Sequence, residues 1–114
     1  MNERVRDRLS DILDAIEQIS KLLENKTLDD LNKDRVLRAA YERFLEILSE
    51  ASRVIPPELK LAAPQIPWTQ VANIGNHLRH AYHQVDSEVL WSVYANGELA
   101  ELRDVVTGFL QAIP

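Results

Sequence analysis

The chain has 114 residues, 46% of them hydrophobic, which is enough to close one core and hardly two, so a single domain over residues 1–114 is expected. It contains no cysteine, which excludes a disulfide framework, a thiolate metal site and a thiol nucleophile. The formal net charge of -5 means that the surface on average repels phosphate, so any contact with nucleic acid must rest on a local group of cations.

The opening MNERVRDRLSDILDAI carries charges throughout. It has no apolar run long enough for a signal peptide or a membrane span, so a soluble, cytoplasmic chain is expected. Val5, Leu9, Ile12, Ile16, Ile19 and Leu23 recur at alternating steps of four and three, with Leu13 and Leu22 widening the stripe, which predicts a long amphipathic helix. Asn25 and Thr27 interrupt it. Thr27 with Asp30 three residues on gives a capping signal ahead of a short polar turn around Leu28 and Leu31.

A second long helix is predicted from Val36, Leu37, Ala40, Tyr41, Phe44, Leu45, Ile47, Leu48, Ala51 and Val54, and Pro56 and Pro57 end it. Its apolar face is broad enough to serve both a core and an interface. The stretch 56–67 holds four prolines and reads as a connector inside one domain, with one short helical turn at 58–62. Pro67 then opens a helix from Trp68 to about His80, with Trp68, Val71, Ile74 and Leu78 as its apolar face. Asp86 is placed to cap a further helix through Tyr94, and Asn96 and Gly97 separate it from a last helix carrying Leu99 to Leu110. No strand alternation competes, so the expected fold is all-α, an up-and-down bundle of four to five main helices. Trp68, Trp91, Tyr41 and Tyr94 fall on apolar faces and are expected to pack the bundle or an interface.

The stretch GNHLRHAYHQVD, residues 75–86, concentrates His77, Arg79, His80, Tyr82 and His83 at the end of a helix. Residues four apart share a helix face, so Asn76 goes with His80 and Gly75 with Arg79. The missing side chain at Gly75 is expected to leave room beside the backbone for a phosphate or a long side chain. Four readings fit these residue types. They are solvated residues near a helix C-terminus, where positive charge is mildly favourable; they are metal ligands; they perform acid–base chemistry on a phosphodiester; or they grip a nucleotide without turning it over. Metal ligation fits poorly, because each step of three residues turns the helix by about 300° and His77, His80 and His83 cannot easily converge. Acid–base chemistry has its parts in place. An imidazole can take the proton of a ribose 2′-hydroxyl, and a neighbouring guanidinium can hold the charge of the phosphorane.

The ordered combination of Glu50-Ala51, Ile66-Pro67-Trp68 and Asn76, His80, Tyr82, Val85, Asp86 at the spacing Asn-x3-His-x-Tyr-x2-Val-Asp resembles the HepT-like members of the HEPN superfamily, over nearly the whole chain. The resemblance implies a helical bundle that forms a homodimer, with the arginine and histidine of an Arg-x4-His-x-Tyr signature lining a shared cleft. It implies a metal-independent endoribonuclease toxin without cofactor, encoded beside an MNT-type nucleotidyltransferase antitoxin that can silence it by adding AMP groups to the motif tyrosine. On this chain the histidine position is His80 and the tyrosine position Tyr82, while the arginine position falls on Gly75. Arg79, one turn on along the same face, is the candidate for the missing charge. Asn76 and His83 are expected to position RNA, and His77 to be a surface residue. A catalytically silent subunit that binds nucleotide or only its partner is the alternative that Gly75 suggests.

Overall fold

The computed structural model describes residues 2–81 and 85–113, and within them all regular structure is helical. Seven helices follow in order: α1 (Asn2–Leu23), α2 (Leu28–Lys33), α3 (Arg35–Ser52), α4 (Pro57–Leu61), α5 (Trp68–Ala81), α6 (Ser87–Ala95) and α7 (Glu98–Ala112). Five are long enough to build a bundle, and α2 and α4 are the two short turns expected between them. Among the described residues no helix is long and apolar enough to cross a membrane.

The helix ends obey local chemistry. Asn25 takes a left-handed backbone (φ 61°) after α1, a conformation that asparagine tolerates better than most side chains. Thr27 and Asp30 then form a reciprocal capping box at the start of α2. The N–H donated by Thr27 holds the Asp30 carboxyl below its ordinary value. Asp34 accepts from the N–H groups of Val36 and Leu37 to start α3, and Asp86 accepts from that of Glu88 to start α6, as its place in the sequence predicts. Gly97, at φ 82°, makes the turn between α6 and α7.

Helix α1 buries Val5, Leu9, Ile12, Ile16, Ile19 and Leu23, with Leu13 and Leu22 half-buried beside them, and packs between α3 and α7. On its other side α3 packs against α5, and it also meets α2, so α3 is the platform on which α5 is mounted. One expectation shifts at the start of α3. Val36 is exposed because, at about 100° per residue, it falls well away from the face that Leu37, Tyr41, Leu45 and Leu48 bury.

Two polar ties on α3 fix the second half of the chain. The Tyr41 hydroxyl, fully buried, donates to the Leu90 carbonyl of α6. Arg38 donates to Glu42 at 2.7 Å, to the Val85 carbonyl at 2.6 Å and to the Ser87 hydroxyl, tying the segment after the histidine-rich stretch to α3. Burial, with the Glu98 carboxylate second, pushes the Tyr41 phenol well above its ordinary range. In the ordinary range of a phenol and above it, the unfolded chain ionises Tyr41 while the folded chain does not, so stability is lost as pH rises there. Tyr41→Phe is expected to lower stability by about 1 kcal/mol at neutral pH, the net worth of one hydrogen bond, and to flatten the alkaline fall. Urea denaturation as a function of pH checks both.

Candidate active site on the fifth helix

Helix α5 starts after Pro67, whose carbonyl accepts from the Val71 N–H. Trp68 stacks on Phe109 of α7, with ring centroids 6.2 Å apart, and donates its indole N–H to the Ala63 carbonyl. Trp91 and Tyr94 pack against each other on α6, at 5.4 Å. Both tryptophans are therefore packing residues, as their spacing implies.

The side of α5 that faces α3 carries Ala72, Gly75 and Arg79, and here the two helices are joined by polar groups. Ser49, 1% exposed, donates its hydroxyl to the Ala72 carbonyl at 2.9 Å and accepts from the Gly75 N–H at 3.1 Å. Arg53 also donates to the Ala72 carbonyl, at 2.8 Å. Arg79 reaches back toward α3, its Nη1 3.7 Å from a Glu50 carboxylate oxygen. With side chains 40% and 67% exposed, that ion pair is loose and screened by water.

This corrects the expected opening at Gly75. The glycine is buried, and a Cβ placed on it would lie 2.8 Å from the Ser49 Oγ and 3.0 Å from the Ser49 Cβ. The space is filled by α3 and does not admit a phosphate to the backbone. The same imaginary Cβ lies 3.5 Å from Nη1 of Arg79, so the guanidinium folds back beside the very position from which a residue-75 side chain would start.

At about 100° per residue the remaining polar groups fall on two other faces of α5. Asn76 and His80, both exposed, share one strip beside the α3 seam. His77 lies further round, in the lining of a groove of about 640 Å³ that runs between α5 and the α6–α7 pair, among Ile74, Val93, Leu99 and Leu102. His77 and His80, three residues apart, lie about 60° from each other around the helix. Tyr82 and His83 lie outside the described residues. Among those that are described, no three histidine, aspartate or glutamate side chains are grouped to hold a metal ion.

The arrangement therefore offers, on adjacent residues, an imidazole open to solvent and a guanidinium held over a glycine, with the Asn76 amide one turn before the imidazole. Ser49, Glu50 and Arg53 were not singled out as site residues from the sequence, although Glu50 belonged to the family pattern. The signal was present. Ser49 and Ser52 interrupt the buried stripe of α3, and a small polar residue in such a stripe marks a close approach by another backbone.

A family model described as ribonuclease HepT-like matches residues 12–108. Among curated proteins, the chain is similar to a protein of Thermococcus cleftensis named probable ribonuclease HepT, with 40% identity over 80% of this chain and 83% of the relative. It is also similar to two proteins whose names read putative RNase. One, from Caldanaerobacter subterraneus subsp. tengcongensis, is 31% identical over 93% of this chain and 94% of the relative. The other, from Methanocaldococcus jannaschii, is 29% identical over 90% and 87%. No solved structure matches.

On an exposed helix, replacing glycine by alanine gains about 1 kcal/mol. At residue 75 the sign is expected to reverse. The new methyl meets a short, buried, doubly hydrogen-bonded serine, and overpacking of this kind costs about 1–3 kcal/mol. Urea denaturation of Gly75→Ala beside Gly108→Ala, an exposed helical glycine with open space around it, checks the contrast.

Proposed function

This chain belongs to the ribonuclease HepT-like family, and from that premise we propose that it is a metal-independent endoribonuclease in which His80 and Arg79 act on the scissile phosphate. The observation that carries the reading is the Arg79 guanidinium folded back beside Gly75, one residue from the exposed His80. The position that holds arginine in the family's usual signature holds glycine here, and the charge is supplied from one helical turn away.

The chemistry follows from those groups. An imidazole takes the proton of the ribose 2′-hydroxyl as its oxygen attacks phosphorus. The 5′-oxygen of the next nucleotide leaves with a proton, giving a cyclic phosphate end and a hydroxyl end. The guanidinium stabilises the negative charge that builds on the phosphoryl oxygens. Asn76, on the strip of His80, and His83 position the RNA. The His80 imidazole serves as base or as acid, and a homodimer, which brings two copies of Arg79 and His80 into one cleft, supplies both roles and gathers cations on an otherwise acidic surface.

The same reading makes the chain the toxin of a pair whose MNT-type nucleotidyltransferase antitoxin transfers AMP groups to the Tyr82 hydroxyl. Each added phosphate is anionic and repels RNA from the cleft. Such a toxin acts in the cytoplasm.

Purified protein, confirmed by intact mass to be unmodified, is incubated with RNA in excess EDTA. Cleavage is expected to persist under chelation and to fall by at least about 10²-fold in His80→Ala, the usual weight of a general acid or base. Cleavage by His80→Ala at the wild-type rate sinks the proposal. No cleavage by the wild-type chain favours instead a silent subunit that binds nucleotide or its partner, with glycine at 75 as the mark of lost activity.

A further inference from the structure

We propose that Ser49 is the positioning residue that sets Arg79 on α5. The inference rests on the ribonuclease reading only for the consequence in catalysis, and its geometry stands apart from it. Ser49 has its single hydroxyl committed twice to the α5 backbone, once as donor to Ala72 and once as acceptor from Gly75, while 99% of the residue's surface is out of solvent. Both partners are main-chain atoms, so the contact fixes the height and rotation of the helix rather than one rotamer on it.

Its other effect is steric. The separation of 2.8 Å between Ser49 Oγ and a residue-75 Cβ makes glycine the residue that fits opposite this serine. The Arg79 guanidinium borders the same close approach, its Nη1 3.5 Å from that Cβ position. Ser49 therefore selects glycine where the family signature has arginine, and holds α5 where an arginine four residues later can fold back to the same place. Neither neighbour can do this. The Glu50 contact to Arg79 joins two exposed side chains at 3.7 Å, and the Arg53 donor is exposed as well. Catalytic groups misplaced by about 1 Å can lose 10²-fold in rate, so a helix set by one buried serine is a sensitive point.

The test combines an NMR readout with kinetics. In Ser49→Ala the Arg79 Nε–Hε cross-peak is expected to move while that of Arg103 on α7 stays in place. Under chelation kcat for RNA cleavage is expected to fall by about 10- to 100-fold with KM within about twofold of wild type. In an Arg79→Ala background the same serine substitution is expected to change kcat by less than about twofold, because the residue it positions is already gone. The variant Ser49→Gly with Gly75→Ala restores the packed volume without the hydroxyl and is expected to recover stability but not kcat. An unmoved Arg79 cross-peak, or full kcat in that packing variant, overturns the positioning role. A moved cross-peak in a protein whose wild type does not cleave RNA supports the positioning and removes the ribonuclease reading.

Discussion

A serine hydroxyl wedged between two helix backbones sets the geometry on which the candidate site depends. Most of this bundle is held by apolar burial, which is non-directional. Ser49 is directional. Its two bonds to Ala72 and Gly75 define the register of α5 on α3, and the close approach leaves no space for a side chain at residue 75. The path of Arg79 follows from that register.

Helix α3 holds the histidine-rich stretch from both sides. Upstream it grips α5 through Ser49 and Arg53, and downstream it grips Val85 and Ser87 through Arg38, which is itself paired with the mostly buried Glu42. Buried charges must be matched to be tolerated, and Arg38 is matched by a carboxylate, a carbonyl and a hydroxyl. One helix therefore anchors both α5 and the start of α6. That arrangement suits chemistry in which a base, an acid and a cation must meet one phosphate.

Much of the fold could be read in the sequence because period and punctuation agree. The four-and-three spacing from Val5 to Leu23, the proline-rich 56–67, Asp86 as a cap and Gly97 as a turn each act locally, and local signals survive in a single chain. Candidate site residues were legible as residue types, but the contacts that place them were not. The pairing of Ser49 with Gly75 spans 26 positions, and nothing in a linear reading says that a serine in one helix fills the gap left by a glycine in another. In a linear reading glycine at residue 75 looks like an opening, whereas the packing of α3 closes it.

We propose that Arg79 supplies the charge that the motif lacks at residue 75. Chemical rescue tests it most directly, through single-turnover RNA cleavage by Arg79→Ala in excess chelator, with and without added methylguanidinium. A loss of at least about 10²-fold is expected, in line with removal of one stabiliser of transition-state charge, with a partial, saturable return of the rate as the small cation replaces the Arg79 guanidinium at the seam between α3 and α5. Wild-type cleavage by Arg79→Ala would contradict it.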